Sequence, residues 1–457
     1  MKMICHPNPI DTIWKTSRKV IPELKYQLSY YNIIATNNDI SYLYNTYTNA
    51  LARLDNKETY LYKKYESQKE ISASDSRFFR ELVEAGFAVT INTDEISNML
   101  NEINTASYLS ERWRQFTILP TQKCNARCFY CFENDVNRIK MDKSILEQLP
   151  IFILDNLSGV ETFNLDWFGG EPLLEYQLIC DIISEIAGHT TIPFTSSITT
   201  NATLFDEERI NTAINIWHLN RASITIDGLH EEHNHRKGVL GLSDAFSQTI
   251  SNIRYLISQG VLVNLRVHID KKNFHELDNI LQYLMEFRGN RLFHLYVDKL
   301  FMPLQVRKHS DTDRYFQETD EKIFYEQMMI SMVKYGFVDS YADFLACRRE
   351  TSCIATRKDA LLINCDGRLY NCVQEFYDTR NSIGSIFSGI EYNRHYNKLL
   401  NRSFIGSECE TCLYLPDCVG GCWFTKSKCS SGEHRHCMRN RFLTPIALNL
   451  LLNESTV

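Results

Sequence analysis
The sequence predicts an α/β protein built on a parallel sheet, with a separate N-terminal region and a cysteine-rich C-terminal domain. Strand and helix signals alternate from about residue 115 to residue 300. The stretch Cys124-Asn-Ala-Arg-Cys128-Phe-Tyr-Cys131 follows the strand-like run Phe116-Thr-Ile-Leu-Pro120. Ten of the fifteen cysteines fall between Cys347 and Cys437. A chain of 457 residues holds two or three domains, divided here as 1–112, 113–305 and 306–457.

Composition removes several function classes. Net charge is −7, so no basic field points to nucleic acid. No apolar run reaches membrane-spanning length; Ile151–Leu154 and Ile446–Leu452 are far too short. The start of the chain, with Cys5, His6 and Pro7, lacks the apolar core of a signal peptide. The expectation is a cytoplasmic protein whose cysteines serve as metal ligands in a reducing compartment.

From Lys25 to about Asp55 the chain is rich in Tyr, Ile and Leu with polar breaks such as Asn37-Asn-Asp39, which predicts two or three strands. Ser74-Asp75 is placed to cap a helix carrying Phe78, Phe79, Leu82 and Val83 and stopping at Gly86. Thr93-Asp94 is placed to cap the next, where Ile96, Met99, Leu100 and Ile103 share a face. Strands followed by helices form either a small winged-helix-like module or a cap packed on the central sheet.

Along the middle, Asp142 opens a helix to Leu154 that contains Pro150. Strands are expected at Phe163–Phe168, Phe194–Thr200, Ala222–Asp227, Val261–Ile269 and Leu292–Asp298. A helix with Leu174, Leu178, Ile182 and Ile183 follows the first of these. Another carries Phe246, Ile250, Ile253 and Ile257 and ends at Gly260. The repeated βα units predict a parallel sheet, open or closed into a barrel. Strands buried on both faces are almost wholly apolar, but here Asn264, Arg266 and His268 alternate with Val263, Leu265, Val267 and Ile269. One face therefore accepts polar groups, as a ligand-binding lumen requires. His230-Glu-Glu-His233-Asn-His235 lacks the four-residue histidine spacing of a zinc-protease helix and is assigned to a solvated loop.

Three soft thiolates spaced C-x₃-C-x₂-C suit iron–sulfur or zinc, and an open metal position marks a reactive site rather than a structural one. Together with Gly169-Gly-Glu-Pro172, the stretch resembles the radical S-adenosylmethionine (radical SAM) family. The resemblance covers about residues 115–300 and implies a partial (β/α)6 barrel. It also implies a [4Fe–4S] cluster on Cys124, Cys128 and Cys131, whose open iron is chelated by SAM. One electron then splits SAM into methionine and a 5′-deoxyadenosyl radical, so an electron donor such as flavodoxin or ferredoxin is implied too. Gly169 and Gly170 let backbone approach closely, and by resemblance Glu171 faces the SAM ammonium. Asn201, in Thr199-Thr-Asn-Ala-Thr203, matches a Thr-Asn-Gly strand end, with Ala202 in place of Gly. Thr225 and Arg236, around Ile224-Thr-Ile-Asp-Gly228 and His233, match a ribose- and carboxylate-facing pattern in which Asn234 replaces an acid. Tyr130 stands where an aromatic near the adenine is usual. For Arg266 a SAM contact and a lumen ion pair are both open.

Farther on, Cys347-x₅-Cys353, Asp366-Gly367-x₄-Cys372, Cys409-x₂-Cys412-x₅-Cys418-x₃-Cys422 and Cys437 resemble the SPASM extension of radical SAM enzymes. That resemblance implies one auxiliary [4Fe–4S] cluster on Cys347, Cys353, Cys372 and Cys422, and a second on Cys409, Cys412, Cys418 and Cys437. Four thiolates suit zinc equally well. Cys429 is the alternative final ligand, Cys365 lies off the pattern, Cys180 sits in an apolar helix stripe, and Cys5 is unassigned.

SPASM enzymes act mostly on peptides or protein side chains, so a ribosomally made precursor peptide is the expected substrate, its leader bound by the N-terminal region through strand addition. The expected outcome is a cross-link through carbon, sulfur or oxygen. Sulfatase maturases carry Asp directly after the cysteine equivalent to Cys372, whereas this chain has Val373, Gln374 and Glu375. Glu375 is the candidate base; in an extended segment it shares a face with Val373. The alternatives are a formylglycine maturase, a peptide epimerase and a zinc-dependent binding module.

Overall fold
The computed structural model describes residues 1–4, 20–37, 39–109, 112–133, 138–301, 312–345, 353–403, 405–428 and 440–454. Cys5, Cys347, Cys429 and Cys437 lie outside these residues. Among the described residues no helix is long and apolar enough to cross a membrane.

The N-terminal region holds strands β1 (Lys2–Ile4), β2 (Lys25–Leu28), β3 (Asn32–Thr36), β4 (Ile40–Asn45) and β5 (Leu51–Asp55). Between Lys25 and Asp55 there are thus four strands, not two or three. The turn at Ser29–Tyr31 splits an aromatic run and sends its halves to different sheets, ordered β1-β5-β4-β3 and β6-β2-β7. Helix α1 (Asn56–Glu66) follows, then β6 (Ile71–Ser72), α2 (Arg77–Glu84), β7 (Ala88–Thr90) and α3 (Glu95–Leu109). The first helix was hidden by its polar composition, but Asp55 and Glu58 form a capping box that starts it. Ser76, rather than Ser74 or Asp75, caps α2 by accepting from the Phe79 N–H at 2.9 Å. Asp94 accepts from the Ser97 N–H at 3.0 Å at the head of α3, as expected.

The central sheet is the predicted one. Strands β8 (Trp113–Ile118), β9 (Thr162–Trp167), β10 (Phe194–Thr200), β11 (Leu219–Ile226), β12 (Leu262–Ile269) and β13 (Phe293–Lys299) lie side by side in chain order, all parallel. Between them run α4 (Lys143–Asp155), α5 (Tyr176–His189), α6 (Glu207–Trp217), α7 (His230–Lys237), α8 (Ala245–Ser258) and α9 (Leu277–Tyr283). Pro150 sits inside α4 without ending it. The polar lumen face is real: Thr117 and Ser197 donate to Asp166 at 3.2 and 2.5 Å, and Asn164 donates to Ser197 at 3.0 Å.

The segment read as a solvated loop is helix α7. Glu231 and Glu232 occupy its first turn and His235, Arg236 and Lys237 its last, matching the helix dipole at both ends, and Gly238 closes it at φ +53°. Its inner face buries His233, Arg236 and Lys237.

Past α10 (Glu318–Lys334), β14 (Ala360–Ile363) joins the barrel sheet parallel to β8, and β15 (Leu369–Tyr370) pairs antiparallel with β14. The C-terminal domain is thus bonded to the central sheet. Its remaining elements are short: β16 (Gly384–Ser385), β17 (Gly389–Ile390), α11 (Arg394–Leu400), α12 (Ser407–Glu410), α13 (Leu415–Cys418) and α14 (Trp423–Lys428), closed by α15 (Asn440–Glu454). The N-terminal region packs on this domain as well as on the barrel. Tyr31, Tyr47 and Met99 share a core with Leu415 and Val419, while Tyr30 and Thr46 hydroxyls donate to the carbonyls of Thr411 and Leu413 at 2.7 and 2.6 Å.

Candidate active site
The cluster loop leaves the C-terminal end of β8 and lies against the end of β9. Gly170 N–H donates to the Thr121 carbonyl at 3.2 Å and Glu171 N–H to the Lys123 carbonyl at 2.8 Å. A Cβ added to Gly169, at φ +116°, would stand 2.3 Å from the Thr121 oxygen, and one on Gly170 2.3 Å from the Lys123 oxygen. The two glycines therefore let the loop's own backbone close onto the strand end. From the opposite side, Arg127 N–H donates to the Lys237 carbonyl at 2.7 Å and Leu240 N–H to the Asn125 carbonyl at 2.8 Å.

The pocket so formed, open to solvent, is lined by Gln122, Cys124, Ala126, Cys128, Cys131, Glu133, Arg138 and Gly170. All three expected cysteines meet there. Burial pushes the Cys124 thiol up to about 11 and Cys131 up to about 12, and raises Cys128. A buried thiol gives up its proton when a bound cation replaces it, so this donor set fits an iron–sulfur cluster. Glu133, which the sequence reading missed, is buried beside them, two residues past Cys131.

Glu171 is fully buried and its carboxylate is held within the chain. Thr200 Oγ1, Asn201 N–H and Leu173 N–H donate to it at 2.7, 2.8 and 3.1 Å. It locks the end of β9 to the end of β10. Asn201 in turn donates from Nδ2 to Asn125 Oδ1 at 2.8 Å, tying β10 to the cluster loop. Ala202 adopts φ +62°, the left-handed conformation that explains a glycine in the resembling motif.

Tyr130, Asp227, His268 and Lys237 form a buried group under the loop. The Tyr130 hydroxyl donates to Asp227 Oδ1 at 2.7 Å, and Lys237 Nζ donates to that hydroxyl at 3.2 Å and pairs with Asp227 Oδ2 at 3.3 Å. His268 Nδ1 lies 3.1 Å from Asp227 Oδ1, and its ring meets the Tyr130 ring edge-on at 5.0 Å. Burial alone would raise the Asp227 carboxyl, but the Lys237 ammonium and His268 outweigh it and hold it well below the ordinary range. Burial likewise works against the Lys237 ammonium, but the Asp227 carboxylate keeps it charged.

Arg236 points elsewhere. Its guanidinium pairs with Glu232 and, at 2.9 Å, with Asp270, which also accepts Arg314 at 3.1 Å. The buried cation beside the cluster cysteines is its neighbour Lys237, a residue the sequence reading passed over because α7 was not recognised. Thr225 is half-buried on β11, level with Arg266 of β12. Arg266 stacks over the Tyr296 ring at 5.6 Å and lies 4.0 Å from Asp298, the ion-pair arrangement.

In the C-terminal domain Cys353, Cys372 and Cys422 are neighbours: burial raises Cys372 first, and the charges of Glu375, Cys353 and Cys422 add to it. Cys409 lies in α12, Cys418 ends α13 and Cys412 lies between them; Cys412 N–H donates to the Cys409 carbonyl at 3.0 Å and Lys426 Nζ lies 3.7 Å from Cys409 Sγ. Glu375 is in a turn, not an extended segment, so it does not share a strand face with Val373. Its buried carboxylate is clamped by His395 Nε2 at 3.0 Å and Trp423 Nε1 at 3.2 Å. Cys180 is core, accepting from Trp217 Nε1 at 3.2 Å, and Cys365 is buried.

The site thus stands on six parallel strands in chain order, with a three-cysteine loop after the first and a glycine-backed wall after the second. Residues 118–284 match the Radical SAM superfamily. The chain is 25% identical over 178 residues to Fe-coproporphyrin III synthase of Methanosarcina barkeri, covering 38% of this chain and only 42% of that relative. To the cysteine-type anaerobic sulfatase-maturating enzyme of Clostridium novyi it is 23% identical over 326 residues, 66% of this chain and 85% of the relative. Among solved structures, native anSMEcpe with bound AdoMet shares the fold at a TM-score of 0.59 and 18% identity, over 75% of this chain and 99% of that one. Streptococcus suis SuiB bound to precursor peptide SuiA does so at 0.50 and 16%, over 90% and 98%.

Proposed function
We propose that this enzyme modifies a ribosomally made peptide and that the product is a cross-link. When bound, the cluster and SAM supply a 5′-deoxyadenosyl radical able to take an unactivated hydrogen. The chain's own residues do the rest. Cys124, Cys128 and Cys131 hold the cluster, leaving one iron for SAM. Gly169, Gly170, Glu171 and Asn201 fix the wall on which SAM rests. Lys237, in place of Arg236, faces the SAM carboxylate, with Tyr130 and Asp227 setting its position; Thr225 faces the ribose side. Cys347, Cys353, Cys372 and Cys422 hold one auxiliary cluster and Cys409, Cys412, Cys418 and Cys437 the other.

The observation that carries the cross-linking reading is Val373. Formylglycine formation needs a base beside the auxiliary site, and valine cannot accept a proton. Glu375 is two residues on, but His395 and Trp423 hold its carboxylate, leaving it a positioning role between α11 and the Cys422 loop. A peptide substrate accords with SuiB bound to its precursor peptide. Formylglycine formation is the second reading, favoured by the sulfatase-maturating relative. Mass spectrometry after anaerobic incubation with SAM and reductant separates the two. The peptide encoded by a short neighbouring reading frame should lose two hydrogens per link, and a sulfatase-type Cys or Ser peptide should gain no aldehyde. Aldehyde formation on the sulfatase peptide at a matching rate would overturn the cross-linking reading.

A further inference from the structure
We propose that Glu133 is the contact for a basic side chain of the peptide, made in the gap between the cluster loop and the Cys372 turn. The inference rests on the peptide-modifying reading and adds the chemistry by which the site selects its substrate. Glu133 is 5% exposed and lines the cluster pocket. Its buried Oε2 accepts no hydrogen bond among the described residues. No other residue lining the pocket carries a carboxylate, and the one cation there, Arg138, leaves that oxygen unpaired. A buried carboxylate oxygen is costly to leave without a donor. A cation satisfies it best, since charge-assisted hydrogen bonds are shorter and stronger than neutral ones. The pocket opens to solvent, so that donor arrives from outside the chain.

The place of Glu133 in the fold favours a peptide over SAM as the source of that donor. At this edge the sheet runs β10-β9-β8-β14-β15. The wall assigned to SAM, from Gly169 to Asn201, stands on the ends of β9 and β10, to one side of β8. Glu133 follows the loop toward the other side, where β14 lies. Its neighbour Phe132 meets the Phe376 ring edge-on at 6.4 Å. Phe376 is four residues past Cys372, in a turn where Glu375 N–H donates to the Cys372 carbonyl at 3.1 Å. Burial raises the Cys365 thiol first, and the charges of Asp366 and Glu133 add to it. Cys365 is two residues past the end of β14. Gln122, just before the cysteines, donates from Nε2 to Asn364 Oδ1 at 2.9 Å and pins the loop to that strand end. A peptide that reaches both the cluster loop and Cys372 therefore passes Glu133. The main chain of such a peptide carries no net charge, so the carboxylate reads a side chain, the ammonium of lysine or the guanidinium of arginine.

The test uses the full chain, anaerobically reconstituted and loaded with SAM, beside Glu133→Gln, which keeps the shape of the side chain and removes its charge. The first probe is Nα-acetyl-lysinamide, a basic side chain without a free α-amine, against Nα-acetyl-norleucinamide, its apolar counterpart. Calorimetric titration should show wild-type protein preferring the lysine compound by about tenfold, and Glu133→Gln should lose that preference. SAM affinity should stay within about twofold of wild type in the variant. A SAM Kd raised about tenfold would assign Glu133 to the SAM ammonium and overturn the peptide contact. Equal preference in wild type and variant, or no preference in either, would overturn it too. The second probe is the precursor from the short neighbouring reading frame, with each Lys and Arg replaced in turn by Gln. One replacement should raise the wild-type KM about tenfold and add nothing further in Glu133→Gln, the non-additivity of a direct contact. Glu133→Lys, offered a precursor with Glu at that one position, should recover part of the lost affinity. Additive losses at every position would overturn the contact. A precursor that wild-type enzyme leaves unmodified would instead strike the peptide-modifying reading, and the two amides would still decide the role of Glu133.

Discussion
The cluster loop and the C-terminal cysteine field both gather thiols, but they are built differently. The loop is bonded to three barrel elements, β9, β10 and the end of α7, by main-chain and Asn201–Asn125 hydrogen bonds. The field rests on helices of four to seven residues and on bonds within its own turns, such as Cys412 N–H to the Cys409 carbonyl and Cys418 N–H to the Tyr414 carbonyl at 2.9 Å. Helices that short are not stable alone, and the local core is Tyr31, Tyr47, Met99, Leu415 and Val419, partly borrowed from the N-terminal region. The buried Asn371 amide, next to Cys372, has no partner among the described residues. On the proposed reading, the barrel prepares its metal site in advance, whereas the C-terminal sites would be completed by metal.

The largest effect expected from this contrast is the triple replacement of Cys124, Cys128 and Cys131 by Ala. It should abolish 5′-deoxyadenosine formation while the auxiliary iron and the melting temperature stay near wild type; unchanged cleavage would remove the loop from the reaction. Next, stripping metal with a chelator should release hydrogen-exchange protection across residues 353–428 but not across β8–β13, because metal-binding energy is folding energy where no site is preformed. Equal loss in both regions would erase the difference between them.

Lys237→Met sharpens the loop's side. Removing one partner of a buried pair leaves Asp227 uncompensated and should cost about 3 kcal/mol by denaturant titration. It should also weaken SAM binding by about tenfold or more, whereas Arg236→Lys should change SAM affinity far less. Smallest of all is Ala202→Gly. Relief of the left-handed strain, about 1 kcal/mol, nearly cancels the loss of a buried methyl, about 0.8 kcal/mol, so stability should move by less than about 0.5 kcal/mol. A large loss would mean that the φ of Ala202 is not strained.

What the sequence revealed follows the same division. The barrel strands were legible because polar lumen residues alternate strictly with apolar ones, as in Asn264, Arg266 and His268. The pocket was legible because Gly169 and Gly170 stand where only glycine fits. Helix α7 was not, since its three histidines and two glutamates look solvated and only the chain's burial of His233, Arg236 and Lys237 reveals an inner face. That one omission left Lys237, buried beside Cys128, unread. The extended path assumed for Glu375 failed because turns at isolated cysteine ligands leave no periodicity to read. Packing of Tyr30, Tyr31 and Tyr47 on the Cys409–Cys418 loop joins residues far apart in the chain, and no local pattern announces it.

Iron content tests the account most directly. Anaerobically reconstituted protein should be brown and carry about twelve irons, four for each of three cubanes. The Cys124, Cys128 and Cys131 triple variant should keep about eight. Stoichiometric zinc with little iron, or the loss of all iron in the triple variant, would contradict it.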